Sequence, residues 1–448
     1  MTHDPASLTA ALLDAARAAG AEAADAMAIA AASVSIGVRD GRLEEAERAE
    51  GTEIGLRVLI GRRQACVSAS DTSAATMAAM AERAVAMARE APEDPFIGLA
   101  DPADLARDWD LAALDLADPA PEPAPAALEA AAREAEAAAR AVPGISRTDR
   151  AGAGHSRRHV HLAATNGFSG GYRRTGNGLH VTAITGDGTA MERDHYGDSR
   201  IFAADLMPPA EIGRLAAERT LARAGARRPP TGRFPVLFDE RVSASLIGHL
   251  LAAVSGSAIA RGASWARDLL GQPVLPDGID LIEDPLRRRG PASRPFDAEG
   301  LPTRRRAIVR DGILTGWTLD LATGRKLGLA STASASRGPA SPPSPTVTNV
   351  ALTQGAQTPA ELMREMGNGL LVTSMIGATI NPTTGDYSRG AAGLWVENGE
   401  ATHAVNECTI AGNLIGMLRT LIPANDARPH LASVVPSLLV EGLTIAGG

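Results

Sequence analysis

Asn166-Gly167, Gly176-Asn177-Gly178 and Gly186-Asp187-Gly188 punctuate the chain roughly every ten residues, the rhythm of turns between short strands. They separate runs near Ser156–Ala164, Gly167–Arg174, Gly178–Thr185 and Thr189–His195. Tight glycine turns join antiparallel neighbours, because a parallel pair needs a crossover of roughly a dozen residues. An antiparallel meander is therefore expected here. A helix over Ala126–Ala141 opens it and another over Pro209–Ala224 closes it.

Upstream, Ser7–Ala19 has apolar residues at helical spacing and stops at Gly20. Strand-like runs follow at Ala32–Val38, Glu53–Ile60 and Arg63–Ser70, the first ending in an Asp40-Gly41 turn. Arg42–Glu50 alternates in charge and could be strand or helix; Thr72–Ala91 has a helical period. Residues 1–92 thus read as an N-terminal α+β domain and 93–125 as a Pro/Asp-rich linker, clearest at Asp118–Pro123. Residues 126–228 form the helix-plus-antiparallel-sheet domain, and 229–448 a C-terminal mixed α+β domain. The last unit has a strand at Phe234–Phe238, a helix at Arg241–Ser257 and a hairpin around Arg310-Asp311-Gly312. Beyond these come a Ser/Pro loop from Ser331 to Pro345, a helix at Thr358–Met366 and a hairpin at Glu397-Asn398-Gly399. The chain is α+β without βαβ alternation, which argues against a doubly wound nucleotide-binding fold.

Length allows two or three domains with real cores. No run of ~18 uninterrupted apolar residues exists, so no membrane span is expected. Met1-Thr2-His3-Asp4-Pro5 lacks the basic-then-apolar pattern of a secretory signal, and a cytoplasmic protein is expected. Net charge is −8, and Lys326 is the only lysine. Arg287-Arg288-Arg289 and Arg304-Arg305-Arg306 neighbour acidic residues and read as solvated loop charge, so no direct nucleic-acid contact is expected. Cys66 and Cys408 are too few for a disulfide scaffold. Cys66, in a strand-like run, reads as a small buried hydrophobe.

Among chemistry-bearing residues, His155, His159 and His161 form the one histidine cluster. On a strand all three point to one face, with His159 and His161 ~7 Å apart at Cα, close enough to share a metal given a third ligand. The competing reading is a solvent-facing polar stripe, with Val160 and Leu162 toward the core. None of the nine histidines is followed by Glu, so H-E-x-x-H and H-E-x-x-x-H are both absent. His249 lies on a helix beside Leu250, with Val254 five residues on, and neither apolar residue can bind zinc or move a proton. It reads as structural. No G-x-S-x-G stands at a strand-to-helix position where a nucleophile elbow would need it, and the glycine loops resemble hairpin turns rather than phosphate cradles. Two polar loops remain, Ser336–Asn349 and Asn381–Gly390, long or turn-rich enough to hold a ligand.

The run Asn381-Pro382-Thr383-Thr384-Gly385-Asp386-Tyr387-Ser388-Arg389-Gly390, followed by Leu394-Trp395-Val396-Glu397-Asn398-Gly399-Glu400, resembles the C-terminal signature of the TldD/PmbA family. Gly55-Leu56-Arg57-Val58, Thr165-Asn166-Gly167-Phe168-Ser169-Gly170, the Ser336–Asn349 loop and Thr409-Ile410-Ala411-Gly412-Asn413 extend the resemblance over nearly the whole chain, on the PmbA (TldE) side. In the TldD branch a helix carries H-E-x-x-x-H and a C-terminal cysteine completes a zinc site. The corresponding helix here, Arg241–Ser257, has neither the His pair nor the Glu, and Cys408 falls beyond the signature.

The resemblance implies a subunit without catalytic or metal-binding residues of its own. It would assemble with a TldD-like metallopeptidase, which would carry the zinc, to process unfolded or leader peptides. The cavity-lining residues it suggests are Arg337, Asn349, Asn381, Asp386, Tyr387 and Arg389. Addition of a substrate strand to a sheet edge is the expected way of holding the peptide. A homodimer is left open. The rival readings are a stand-alone metallopeptidase using the histidine strand, and a non-proteolytic protein modulating DNA gyrase or a toxin-antitoxin partner.

Overall fold

The computed structural model describes residues 4–447; Met1–His3, where the segment read for a secretory signal begins, lie outside the described residues. Helix α1 (Pro5–Ala18) starts on a proline, whose missing N–H falls where the helix has no use for it, and buries Leu8, Leu12, Leu13 and Ala16. Strands β1 (Ala23–Arg39), β2 (Arg42–Ile60) and β3 (Arg63–Ala69) follow. The charge-alternating Arg42–Glu50 is strand. It is exposed throughout and pairs with β1 alone, and its charges protect a free edge from pairing with another chain. Helix α2 (Ala74–Glu90) is capped by Ser73, whose hydroxyl accepts the Thr76 N–H. After the single turn α3 (Leu111–Leu114) come α4 (Pro125–Arg140), β4 (Ile145–Ala164), β5 (Ser169–Thr185), β6 (Glu192–Arg200) and α5 (Pro209–Leu221).

These six strands make one sheet, ordered β3-β2-β1-β4-β5-β6, with every neighbour antiparallel. The N-terminal and middle units share it, because β1 pairs with β4 from Asp25↔Ala164 to Val38↔Ala151. All four long helices cover the same face. α1 and α2 pack on Ala24, Ala26, Ile54 and Leu56, while α4 and α5 pack on Ala151, Ala153, Val181 and Ala183. Gly176-Asn177-Gly178 is not a turn, as its composition suggested, but the middle of β5. Pairing on both sides satisfies its backbone, and Asn177 bonds His155 and the Ile201 carbonyl.

The C-terminal domain runs β7 (Gly232–Phe238), α6 (Glu240–Ala253), α7 (Gly256–Ala260), β8 (Leu281–Glu283), β9 (Arg306–Arg310), β10 (Ile313–Leu314), α8 (Leu321–Leu327), β11 (Ala335–Ser336) and β12 (Ser344–Pro345). It continues through β13 (Val350–Leu352), α9 (Pro359–Met366), β14 (Gly369–Ile380), β15 (Asp386–Glu397), β16 (Glu400–Asn413), α10 (Leu414–Arg419), β17 (Ile422–Pro423), β18 (Ser433–Val434) and β19 (Leu438–Ala446). Strands β16-β15-β14-β7-β19 close into a small barrel through a second β16–β19 pairing. Phe238, Leu246, Leu250, Leu370, Trp395, Ile410 and Leu438 lie in its core. The helix expected over Arg241–Ser257 breaks after α6, where the Thr318 carbonyl takes the Gly256 N–H. Among the described residues no helix is long and apolar enough to cross a membrane.

The helix-free face of the first sheet docks on this domain. Asp25 and Arg57 stand opposite each other there, with Arg57 Nε donating to Asp25 Oδ2 at 2.6 Å. Arg337, from the β11–β12 loop, donates to Asp25 Oδ1, and all three side chains are buried. Pro339 of the same loop lies so close to β2 that a Cβ on Gly55 would sit 2.2 Å from its carbonyl oxygen. Trp109, Phe168, Tyr172 and Phe296 form a largely edge-to-face cluster beside it. The Pro/Asp-rich stretch is ordered against this interface: Arg325 donates to the Phe96 and Leu99 carbonyls, and the Ala106 N–H to Gly300. Nearby, burial and the adjacent Asp297 push the Glu299 carboxyl up to about 8.

Asp25→Ala leaves two guanidinium groups buried without a counter-charge and is expected to cost about 3–5 kcal/mol in urea unfolding. Arg337→Met keeps the Asp25–Arg57 pair and removes two buried nitrogens, Nε and one Nη, that have no partner, so its cost is markedly smaller. Folded Glu299 keeps its proton between its ordinary 4.5 and about 8, where the unfolded chain releases it. Stability from this group is thus full below pH 4.5 and is lost as pH rises through about 8. Thermal unfolding of Glu299→Gln across that window is expected to show a flatter pH dependence than the parent chain.

Candidate functional site

β14 has a partner along its whole length on one side only. β15 pairs with it from Gly369 to Ile380, whereas β7 pairs only with Leu370–Val372. At Phe238 the β7 chain turns into α6, with Asp239 as its N-cap. Among the described residues no strand pairs with Thr373–Ile380 on that side. A bulge at Gly377, φ +69°, bends the free edge, and Ile376 is 76% exposed.

Behind this edge stands a wall of three side chains from β15 and α6. Tyr387 is buried; its hydroxyl donates to Met375 Sδ at 3.3 Å, and its ring lies 5.9 Å from that of His249, edge to face. Arg389, two residues along the same face, donates from Nε to the Gly377 carbonyl at 2.7 Å and so anchors the bulge. Burial pushes the Tyr387 phenol up to about 12. Burial and Arg389 push the His249 imidazole down. Both rings are therefore uncharged at neutral pH, and no acid-base pair is tuned here.

The turn before β15 is built from its own polar groups. Asn381 Oδ1 accepts the Thr383 and Thr384 N–H groups, and Asp386 accepts from the Thr384 hydroxyl and Asn413. Those bonds hold the Asp386 carboxyl below the usual carboxylate range. Of the six residues suggested for a cavity, Asn381, Asp386, Tyr387 and Arg389 share this corner. Arg337 and Asn349 lie elsewhere. Arg337 is sealed in the domain interface, and Asn349 is buried, with Nδ2 donating to the Asp284 carbonyl and Ser293 hydroxyl and Oδ1 accepting the Ala292 N–H. The bare edge of β14 and Met375 were not singled out in the sequence. The signal available was Gly377 interrupting an apolar strand-like run, a mark of a bulge.

The histidine stripe does face one way, onto the helix-covered side of the sheet, where His159 is part-buried. His161 Nδ1 is 2.8 Å from the Thr9 hydroxyl and His155 Nδ1 is 2.8 Å from Asn177, and both are buried. Among the described residues no group of three His, Cys, Asp or Glu side chains is placed to hold a metal ion. The donor set near α6 does not fit zinc either. His249 Nε2 is a single buried nitrogen without a partner, and Cys408 donates to the Ala391 carbonyl while burial pushes its thiol up to about 11. Cys66 is half-buried, paired across the sheet with Arg57, rather than fully enclosed as expected.

Models of three successive PmbA/TldA metallopeptidase domains match residues 24–88, 117–224 and 231–447. Metalloprotease PmbA of Escherichia coli O157:H7 is 36% identical over 416 residues, 92% of this chain and 90% of that one. The chain belongs to the PmbA/TldD family. A PmbA homolog from Haemophilus influenzae is 34% identical over 91% of this chain and 89% of its own length. TldE from Thermococcus kodakarensis superposes with a TM-score of 0.86 at 18% identity, covering 98% of this chain and 100% of that one. A candidate modulator of DNA gyrase from Bacteroides thetaiotaomicron gives 0.90 at 24% identity, over 99% and 98%. At such identities the structural matches establish a shared PmbA/TldD fold. That fold is the three-part α+β architecture expected from the sequence.

In this PmbA/TldD chain the corner presents main-chain groups that an extended chain could pair with. A free strand edge offers N–H and C=O groups to an extended chain without regard to its side chains. The inertness of Cys408 is checkable: a thiol reagent at mildly alkaline pH should modify at most Cys66 in the folded chain and both cysteines after denaturation. Rapid modification of Cys408 in the native chain would contradict its burial and raised thiol.

Proposed function

We propose that this chain is a PmbA/TldE-type subunit of a two-component peptidase, in which a TldD-like partner supplies the zinc and the cleavage chemistry. The observation that carries the reading is the Thr373–Ile380 edge of β14, which among the described residues has no strand on its outer side, beside His249, Tyr387 and Arg389. The edge adds an extended substrate as a further strand, and the Asn381–Arg389 corner lines the cavity around it. Main-chain pairing is indifferent to sequence, which suits unfolded and leader peptides. A cytoplasmic location is part of the proposal, since both subunits and their peptides would meet there. Arg337 serves it indirectly, by seating the first sheet on the domain that carries the edge.

Zinc content and peptide cleavage of the pure chain, alone and mixed with a TldD-type relative from the same organism, test the assignment. The expected result is no bound zinc and no cleavage alone, and a stable, active complex in the mixture. Arg389→Ala should then slow cleavage by the complex about tenfold, equivalent to ~1.4 kcal/mol, without preventing assembly. Stoichiometric zinc with cleavage by the chain alone would overturn the proposal.

A further inference from the structure

A second feature lies far from the β14 edge in its chemistry. Between the β4–β5–β6 strands and the segment after β8 is a cleft of about 530 Å³, within the size range of small-ligand sites. Arg158, Arg174 and Arg200, one from each strand, line it opposite Arg287-Arg288-Arg289. In a chain whose net charge is −8, six guanidinium groups in one cleft call for an account of their counter-charges.

Three of the six are matched. Asp115 accepts from Arg288 and Arg289, Asp205 from Arg289, and Asp198 from Arg200. Among the described residues Arg158, Arg174 and Arg287 have no carboxylate partner; what holds the last two is carbonyl oxygen, chiefly backbone, with Arg287 also donating to Asn349 Oδ1 at 3.4 Å. Arg174 donates to the Pro291 and Ser293 carbonyls, and Arg287 to the Leu431 carbonyl at 2.6 Å. Carbonyl oxygens orient a guanidinium without neutralising it. Moreover, Arg158 and Arg174 are direct cross-strand partners in the β4–β5 register. Like charges so placed are destabilising unless something anionic lies between or over them. Burial also pushes the Arg174 and Arg287 guanidinium groups down, the cost of charge held away from water. His430, also in the lining, has its Nε2 turned to Asp198 at 3.3 Å and is not one of the unmatched groups.

We propose that this cleft binds a ligand bearing two or more oxyanion groups, carboxylate or phosphate, through Arg158, Arg174 and Arg287. The pre-set forks of arginine suit both groups, which each accept paired N–H bonds. Among the described residues no Phe, Tyr or Trp lines the cleft, so it lacks the broad stacking platform of a single-strand nucleic-acid site. The inference does not depend on the peptidase assignment.

Calorimetric titration of the full chain with inorganic tripolyphosphate and, separately, with a tri-glutamate peptide tests it. Saturable one-to-one binding of at least one probe is expected, weakened about tenfold or more by Arg158→Glu and less than about twofold by Arg304→Glu, a residue outside the cleft. Peptide binding alone would identify the natural ligand as an acidic polypeptide segment, and phosphate binding alone as a small phosphorylated compound. Arg158→Glu places opposite charges across β4 and β5, so the unliganded variant should melt no lower than the parent, which separates lost binding from lost folding. Failure of both probes to saturate, or equal weakening by the two substitutions, would overturn the proposal.

Discussion

Asp25 accepts from two buried guanidinium groups, one on its own sheet and one from the domain that sheet rests on. A carboxylate in such a place is stable only while its partners stay, and they only while it stays. The arrangement ties the β1–β2 register to the β11–β12 loop, since a slip by one residue would turn Asp25 and Arg57 to the helix face. Around it the contact is close: Gly55 admits Pro339, and the Trp109–Phe168–Phe296 cluster fills the neighbouring space. With burial pushing Arg337 down to about 10, the interface holds its charge at a real energetic cost. Position, rather than gross stability, is what the triad supplies.

That position matters for what the C-terminal domain leaves open. The barrel closes through the β16–β19 pairing, yet β7 turns into α6 after Phe238 and abandons β14. The bare edge and the helix carrying His249 therefore arise from one event, a strand converted to a helix beside a longer neighbour. Arg389 on the Gly377 carbonyl keeps the bulged edge in a defined shape. The same domain meets the first sheet at a second place, where three arginines face a cleft without carboxylates of their own. One junction is sealed by compensated charge and the other is left charged and open.

Much of the architecture was legible in the chain. Helical periods at Ser7–Ala19, Thr72–Ala91, Ala126–Ala141 and Pro209–Ala224 correspond to α1, α2, α4 and α5 within a few residues. The Arg310-Asp311-Gly312 and Glu397-Asn398-Gly399 hairpins also stand where turn chemistry puts them, with Asp311 and Asn398 at positive φ. Gly176-Asn177-Gly178 misled for a physical reason: glycine and asparagine favour turns only when nothing else claims their backbone, and here β4 and β6 do. Arg42–Glu50 could not be resolved because alternating charge suits an exposed helix face and an exposed strand edge equally. For the site, the Asn381–Arg389 corner was legible as a motif, but Arg337 and Asn349 share only its polarity and not its place.

By itself, the sequence determined the long helices of the first two units, the antiparallel character of the middle strands, the family, and the absence of a His-Glu pair on the helix where zinc ligation would need it. These follow from local rules, since turn residues, periodicity and motif spacing act over a few residues along the chain. Only the tertiary structure decided that the first two units share a sheet and that Asp25 meets Arg337 across 312 residues. It also decided that β14 keeps a free edge and that the arginines read as solvated loop charge line a cleft. Such outcomes depend on which surfaces meet, and burial, which sets the state of Glu299 and Arg337, exists only once they have met.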